Sequence, residues 1–425
     1  MPTDLTCSEM INSSIEWVGE TPRNWSVRTL YQLASQVKNK NSDLQEQNLL
    51  SLSYGKIKRK DINTSDGLLP ASFDGYNIIQ AGDIVLRLTD LQNDKTSLRV
   101  GLATERGIIT SAYVTLRPTD IRQSKYLYYL LHTFDIKKGF YGMGAGVRQG
   151  LNYNEVRELR VLTPPQAEMD AIAKYLDEEC AKTDALIAET KASIKEYKLW
   201  KASTVSHAST KGMSSTVTLR DSGIDWIGMM PSHWEIMKAK WLFNKESRPV
   251  SEDAETITCF RNGTVTLRKN VRLQGFTESL KEIGYQGVMV GDLVIHTMDA
   301  FAGSIGVSDS NGKCTPVYSV CTAKNCTTNN YYYQYAMHEM ARSGYIQSLY
   351  RGIRERSTSF TFEVFGNQML PVPPLHEQEE IAAFLDNKAI QVDRLITDKE
   401  QLINELESYK QSLIYEVVTG KRKVG

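Results

Sequence analysis

A few short clusters in this sequence carry side chains or glycine spacings that could do chemistry. Phe140-Tyr-Gly142-Met-Gly144 has the FxGxG form with which many methyltransferases open an S-adenosylmethionine pocket. Such a site needs a strand before the glycines, a helix after them and an acidic residue about 20 positions on. Here Gly146-Val-Arg148-Gln149-Gly150 follows, which reads as a turn. The two double prolines, in Thr163-Pro-Pro-Gln166 and Val372-Pro-Pro-Leu375, lack the polar lead and the aromatic of an amino-methyltransferase loop. No GxxxxGKS/T phosphate loop and no HExxH zinc pair is present. Glu189-Thr-Lys191 and Glu196-Tyr-Lys198 superficially suit a nuclease, but their setting is that of a solvated helix face. An enzyme with its own degenerate cofactor site at Phe140–Gly144 is one alternative, tested by labelled S-adenosylmethionine on the isolated chain. A coiled-coil assembly protein without DNA contact is the other.

The same glycine cluster makes better sense as a loop that presents a polar pair. Arg148-Gln149 follows it, and Arg351-Gly-Ile-Arg354-Glu-Arg356-Ser-Thr358 stands at the matching place later in the chain. Arginine pairs bidentately with guanine and glutamine with adenine in the major groove, while Ser and Thr reach phosphates or bases. A second basic cluster, Lys56-Ile-Lys58-Arg59-Lys60, suits neutralisation of a phosphate backbone. Each cluster alone could be an ordinary solvated patch, but their recurrence at matching positions suits binding, with duplex DNA as the candidate ligand.

"Matching place" has a definite meaning, because the chain is written twice with a period of 209 residues. Trp17-Val-Gly19-x-x-Pro22-x-x-Trp25 recurs as Trp226-Ile-Gly228-x-x-Pro231-x-x-Trp234. Gly82-Asp83-Ile-Val85 recurs as Gly291-Asp292-Leu-Val294, and Asp90 as Asp299. From Pro164 to Ile187 there are ten identities in 24 positions with Pro373 to Ile396, where composition alone would give about one or two. So long a period makes each copy a whole structural module.

Each copy changes character at its double proline. Before it lie short β-type runs such as Asp83–Arg87, Ala112–Leu116 and Asp292–His296, with one Tyr-rich helical segment in each copy, Lys125–Phe134 and Asn330–Met340. That combination predicts mixed α/β domains, with the tyrosines packed into a core helix rather than forming a stacking platform. His132 and His338 occupy matching places there and read as core histidines. After it the second copy sustains a heptad seam: Ile381, Leu385, Lys388, Val392, Leu395, Lys399, Leu402, Leu406, Tyr409, Leu413. The first copy offers the more polar seam Ile172, Leu176, Thr183, Ile187, Ile194, Tyr197. A helix of about 40 residues spans roughly 60 Å. Seam lysines should lie at the edge with their heads in water. The two helices are expected to bury their seams on each other as an antiparallel coiled coil with an internal pseudo-two-fold repeat. The expected division is 1–165 and 213–372 for the α/β domains, with 166–212 and 373–425 for the helices.

The composition fits this. Among 425 residues, 41% are hydrophobic and 24% charged, which is an ordinary globular balance with room for several cores. Fifty basic and fifty acidic residues cancel, so any polyanionic partner must be held by local patches. There is no run of 18 apolar residues and no charged-then-apolar opening, which points away from a membrane and from secretion. The six cysteines, Cys7, Cys180, Cys259, Cys314, Cys321 and Cys326, form no CxxC pair and are expected as reduced thiols in a cytoplasmic protein.

Two α/β domains alternating with two long helices, opened by the paired Trp-x-Gly-x-x-Pro-x-x-Trp motifs, resemble the specificity subunit of type I restriction–modification systems from end to end. Gly146-Val-Arg148-Gln149-Gly150-Leu151 and Leu370-Pro-Val-Pro-Pro-Leu-His-Glu377-Gln378-x-x-Ile381 carry the same resemblance. The first copy departs from it where Glu-Gln becomes Glu168-Met169. The resemblance implies two target-recognition domains, each reading half of an asymmetric, interrupted site on double-stranded DNA. It also implies spacer helices that dock two modification subunits. Those subunits would bring S-adenosylmethionine, Mg2+ and adenine-N6 methylation, and restriction (motor-nuclease) subunits would bring ATP. The chain itself would hold no cofactor or metal and catalyse nothing.

Overall fold

Ile84, Val85 and Leu86 are all buried, yet they face opposite ways, because successive strand residues alternate between the two faces of a sheet. Ile84 and Leu86 join one apolar cluster and Val85 another. Leu293 and Ile295, against Val294, repeat the pattern in the second copy. Both faces of a small sheet are therefore covered, and this sets the architecture of each domain. The computed structural model describes residues 10–63, 70, 72–94, 96–143, 150–251, 253–271, 283–349 and 359–424. It falls into two compact units, Met1–Lys191 with Glu400–Gly425, and Ala192–Lys399.

In the first unit a four-stranded antiparallel sheet runs in the order Ala34–Gln36, Val114–Pro118, Ile84–Leu86, Val100–Leu102. The helix Ser124–Ile136 covers one face, and the hairpin Leu50–Ser53/Lys56–Arg59 lies over the other. In the second unit the same order is made by Phe243–Lys245, Tyr318–Ala323, Leu293–His296 and Ile305–Val307, covered by the helix Asn330–Arg342. The Tyr-rich segments are core helices, as their pattern predicts: Tyr126, Tyr129, Tyr332 and Tyr333 are buried. His132 is buried against Tyr128, and burial pushes its imidazole down to about 4. The repeated Gly-Asp pairs brace the sheets. Asp83 accepts two bonds from Arg117 at 2.7 and 2.8 Å, while Asp292 accepts from Arg248.

Two long helices, Gln166–Lys211 and Leu375–Val418, follow the double prolines. Their halves run antiparallel within each unit. In the first, Lys410 pairs with Asp184 at 2.6 Å and Lys191 with Glu407 at 3.7 Å. In the second, Lys201 pairs with Asp393 at 2.7 Å, and Lys399 lies 5.7 Å from the Tyr197 ring centre. The compact units thus cut through both helices instead of separating them from the domains, because each helix half packs on a domain core. Leu413, Ile414, Val417 and Val418 complete the core around Trp25 and Tyr126, and Ala208 lies in the core around Trp234 and Tyr332. Buried tyrosine hydroxyls take up carbonyls of the last turns: Tyr126 donates to Val418 at 3.2 Å and Tyr332 to Ser209 at 2.8 Å. Left-handed glycines, Gly420 (φ 76°) and Gly212 (φ 73°), end both helices. A Cβ on Gly420 would stand 2.2 Å from Pro22, so the close approach requires glycine there too.

The first helix buries Ile172, Leu176, Thr183, Ile187 and Ile194 as its seam predicts, and the second buries Ile381, Leu385 and Val392. Beyond Val392 the expected seam is wrong. Leu395 and Leu402 are each 43% exposed and Leu406 is half-buried, while Ile396 and Ile403 are buried. At about 100° per residue, a step of three from Val392 lands roughly 60° off the stripe, and a step of four only about 40° off on the other side. Repeating four-then-three keeps Val392, Ile396, Lys399, Ile403, Leu406 and Lys410 on one line, so Leu395, Leu402 and Tyr409 form a second, uncovered flank. Ile403→Ala should therefore lower stability by about 2–4 kcal/mol, and Leu402→Ala by no more than about 1 kcal/mol. Denaturant melts of the two variants check this; equal losses would restore the three-then-four seam.

Candidate nucleic-acid interface

The chain leaving Leu86 makes a long excursion, residues 87–99, before re-entering the sheet at Val100. Arg87 N–H donates to the Arg99 carbonyl at 2.9 Å and closes its neck. Arg99 is fully buried. Its guanidinium donates to the carbonyls of Arg87 (3.1 Å), Thr89 (2.7 Å), Asp90 (3.1 Å) and Asp94, and to the Tyr141 hydroxyl (2.9 Å). One buried cation satisfies the inward carbonyls of a loop that has no ladder of its own. The equivalent loop of the second unit, 296–304, is shorter, and the His296–Ser304 backbone bond at 2.9 Å closes it without such a brace.

Two further segments meet this loop in each unit. The tip of the hairpin at Tyr54-Gly55 rests on Leu98, 3.0 Å from where a Cβ on Gly55 would lie. In the second unit the tip of the corresponding hairpin, Ile257–Cys259/Val265–Leu267, brings Arg261 to Asp299 at 3.0 Å. The third segment begins at Gly150 in the first unit and at Ser359 in the second. Leu151 N–H donates to the Leu88 carbonyl at 2.9 Å, and Phe360 N–H donates to the Thr297 carbonyl at 2.8 Å. Leu88 and Thr297 are one period apart, so both copies anchor this segment to the same point of the sheet. Each unit thus gathers three segments at the same end of its central strand.

Of the sequence-predicted contacts, Arg148, Gln149, Arg351, Arg354, Arg356 and Thr358 lie outside the described residues. Lys56, Lys58 and Arg59 stand on the second strand of the hairpin, with Lys60 just beyond it. Lys56 pairs with Asp184 at 3.4 Å and Arg59 with Glu105 at 2.5 Å. Lys58 and Lys60 are exposed and make no ion pair among the described residues. The hairpin tip and the Arg99 brace were missed in the sequence. A Ser-Tyr-Gly-Lys turn between two strand-like runs marked the first, whereas nothing local marks a buried arginine.

The enzymatic lead fails on geometry. Phe140 is buried edge-on against Phe134, 4.9 Å between ring centres, in a tight turn that follows a helix instead of a strand. Gly144 lies outside the described residues. Glu189, Lys191, Glu196 and Lys198 all face solvent. Among the described residues no group of His, Cys, Asp or Glu could hold a metal ion, and no helix is long and apolar enough to cross a membrane.

Residues 231–408 match the type I restriction modification DNA specificity domain. A putative type I restriction enzyme MjaX specificity subunit from Methanocaldococcus jannaschii is 22% identical over 439 aligned residues, covering 96% of each chain. A chain from a structural study of complex assembly and conformational transition of the type I R-M system has the same fold. It is 15% identical, with a TM-score of 0.67 and coverage of 94% of this chain and 99% of that one. The crystal structure of the HsdS subunit from Thermoanaerobacter tengcongensis is also similar, at 14% identity and a TM-score of 0.50, covering 94% and 98% of the two chains. Residues 231–408 thus carry a type I restriction modification DNA specificity domain, and with its duplicated α/β domain and paired long helices the chain is similar to type I restriction–modification specificity subunits along nearly its whole length.

Proposed function

We propose that this DNA-recognition subunit reads an asymmetric, interrupted duplex site, one half with each α/β domain. The observation that supports this most directly is the repeated three-segment cluster, anchored through Leu88 in one copy and Thr297 in the other. The sequences that precede these anchors differ, Arg148-Gln149 in one copy and Arg351 through Thr358 in the other, and so suit two different half-sites. Base-edge contacts from these loops would specify the sequence, and the lysines would take phosphates.

The helices serve the other half of the task. Their seams are spent on the domain cores and on each other, yet Trp200 and Leu395 remain exposed along a groove of about 410 Å³ that they line with Tyr197 and Val392. Exposed aromatic and aliphatic anchors on a rigid helix pair suit a protein partner. We assign this flank to the two modification subunits, which would carry S-adenosylmethionine and Mg2+ and flip the target adenine out of the stack. Restriction subunits with ATP would join the same assembly. The complex would act in the cytoplasm.

Two experiments test this. Arg148→Ala in the full complex should weaken binding by about 1–3 kcal/mol and relax only the first half-site, and Arg354→Ala only the second. Binding to duplexes randomised in one half-site measures it; equal relaxation at both ends by either variant contradicts the division. Separately, Trp200→Glu should abolish co-purification with the modification subunits while the thermal melt stays within about 2 °C of wild type. Retained assembly would remove this flank from the interface.

A further inference from the structure

Tyr54 sits where a tyrosine is unfavourable. Ser53 pairs with Lys56, so Tyr54 and Gly55 alone make the turn of the hairpin. Both have positive φ, 48° and 74°, as a type I′ turn requires. The first position of such turns favours Asn, Asp or Gly, because a bulky side chain on a left-handed backbone crowds its own carbonyl. The tyrosine ring recovers little by packing, since Tyr54 is 76% exposed. A strained residue that contributes no core contact points to a role outside the fold.

Its surroundings name the partner. The tip rests on Leu98, in the same segment cluster as Leu88 and Leu151. Directly behind it the strand alternates, setting Lys56, Lys58 and Lys60 on one side. Lys56 is drawn to Asp184, which leaves Lys58 and Lys60 as exposed ammonium groups beyond the aromatic tip. A projecting phenol followed by two such cations suits a duplex surface: the ring lies against a sugar or base edge while the lysines neutralise the flanking phosphates. We infer that the 53–60 hairpin is a second DNA-reading element of the first domain, with Tyr54 as its contact residue. The inference rests on the reading of this chain as a DNA-recognition subunit. It adds a residue and a hairpin to the polar loop as determinants of one half-site.

The turn itself provides a test of opposite signs. Tyr54→Asn creates the preferred Asn-Gly turn, so the thermal midpoint of the full chain should stay equal or rise. Specific duplex binding by the chain assembled with its modification subunits should nonetheless weaken about tenfold. Tyr54→Phe should keep most of the affinity. The double variant Lys58→Ala/Lys60→Ala should lower the salt dependence of binding by about two released counterions, for specific and random duplexes alike. Wild-type affinity in Tyr54→Asn overturns the inference and leaves the general reading intact. Loss of subunit assembly without DNA present also overturns it, since the hairpin would then face protein. A wild-type complex that shows no specific duplex binding removes both.

Discussion

The indole N–H of Trp25 donates to the Glu168 carboxylate at 2.7 Å, and that of Trp234 to Glu377 at 2.9 Å. In each unit this bond fastens the start of a long helix to the domain core. The glutamate stands in the first turn of a long helix, where a negative charge is favoured, and its second oxygen takes a further donor, Asn24 in one unit and His233 in the other, each at 2.6 Å. A buried indole bonded to a charged acceptor contributes about 1.5–3 kcal/mol. The same tryptophans lie in the cores that receive the helix C-termini, Val417 and Val418 near Trp25 and Ala208 near Trp234. One residue therefore ties the start of one helix and the end of the other to a single domain. This explains why Trp and Glu, 143 residues apart in both copies, are among the few identities that survive the duplication.

The residue after that glutamate shows what the copies do not share. Gln378 is buried and fully bonded: it accepts from Asn329 N–H at 2.9 Å and donates to the carbonyls of Thr327 (2.9 Å) and Pro373 (2.8 Å), which fixes the approach to the Tyr-rich helix. Met169 fills the matching place as an apolar core residue, and in that copy an Asp120-capped turn leads into the helix instead. The departure from the Glu-Gln pattern thus exchanges a polar brace for packing, and the clamp itself is untouched.

Much of this was legible because repetition reinforced weak patterns. Alternation in Ile84-Val85-Leu86, breaks at the double prolines and the spacing of Ile172, Leu176 and Ile187 each report directly on which face is buried. The misplaced second seam was legible too: Ile187 and Ile194, shifted by one period, fall on Ile396 and Ile403, the residues that are buried. Heptad counting within one helix favoured Leu395 and Leu402 because leucines line both flanks of a wide apolar stripe, and only the partner decides which flank is covered. Arg99 and the Tyr54 turn were harder to see, since burial of an arginine and the handedness of a turn depend on contacts between distant segments. Two of the four residues from Lys56 to Lys60 proposed for phosphates are held by Asp184 and Glu105, tertiary partners that no local pattern announces.

The scaffold accordingly separates two requirements. Helix and sheet cores are duplicated with the same strand order, while the loops they present differ in length, charge and bracing. A protein built this way can hold two unlike recognition surfaces on like frames. The most direct measurement is single-molecule methylation mapping of genomic DNA from cells with this gene intact and deleted. The intact strain should carry N6-methyladenine at one bipartite motif whose two halves differ in sequence and are separated by unspecified bases, and deletion should erase that motif alone. An unchanged methylation map after deletion, or a lost motif that is continuous and palindromic, would contradict recognition by two unlike domains.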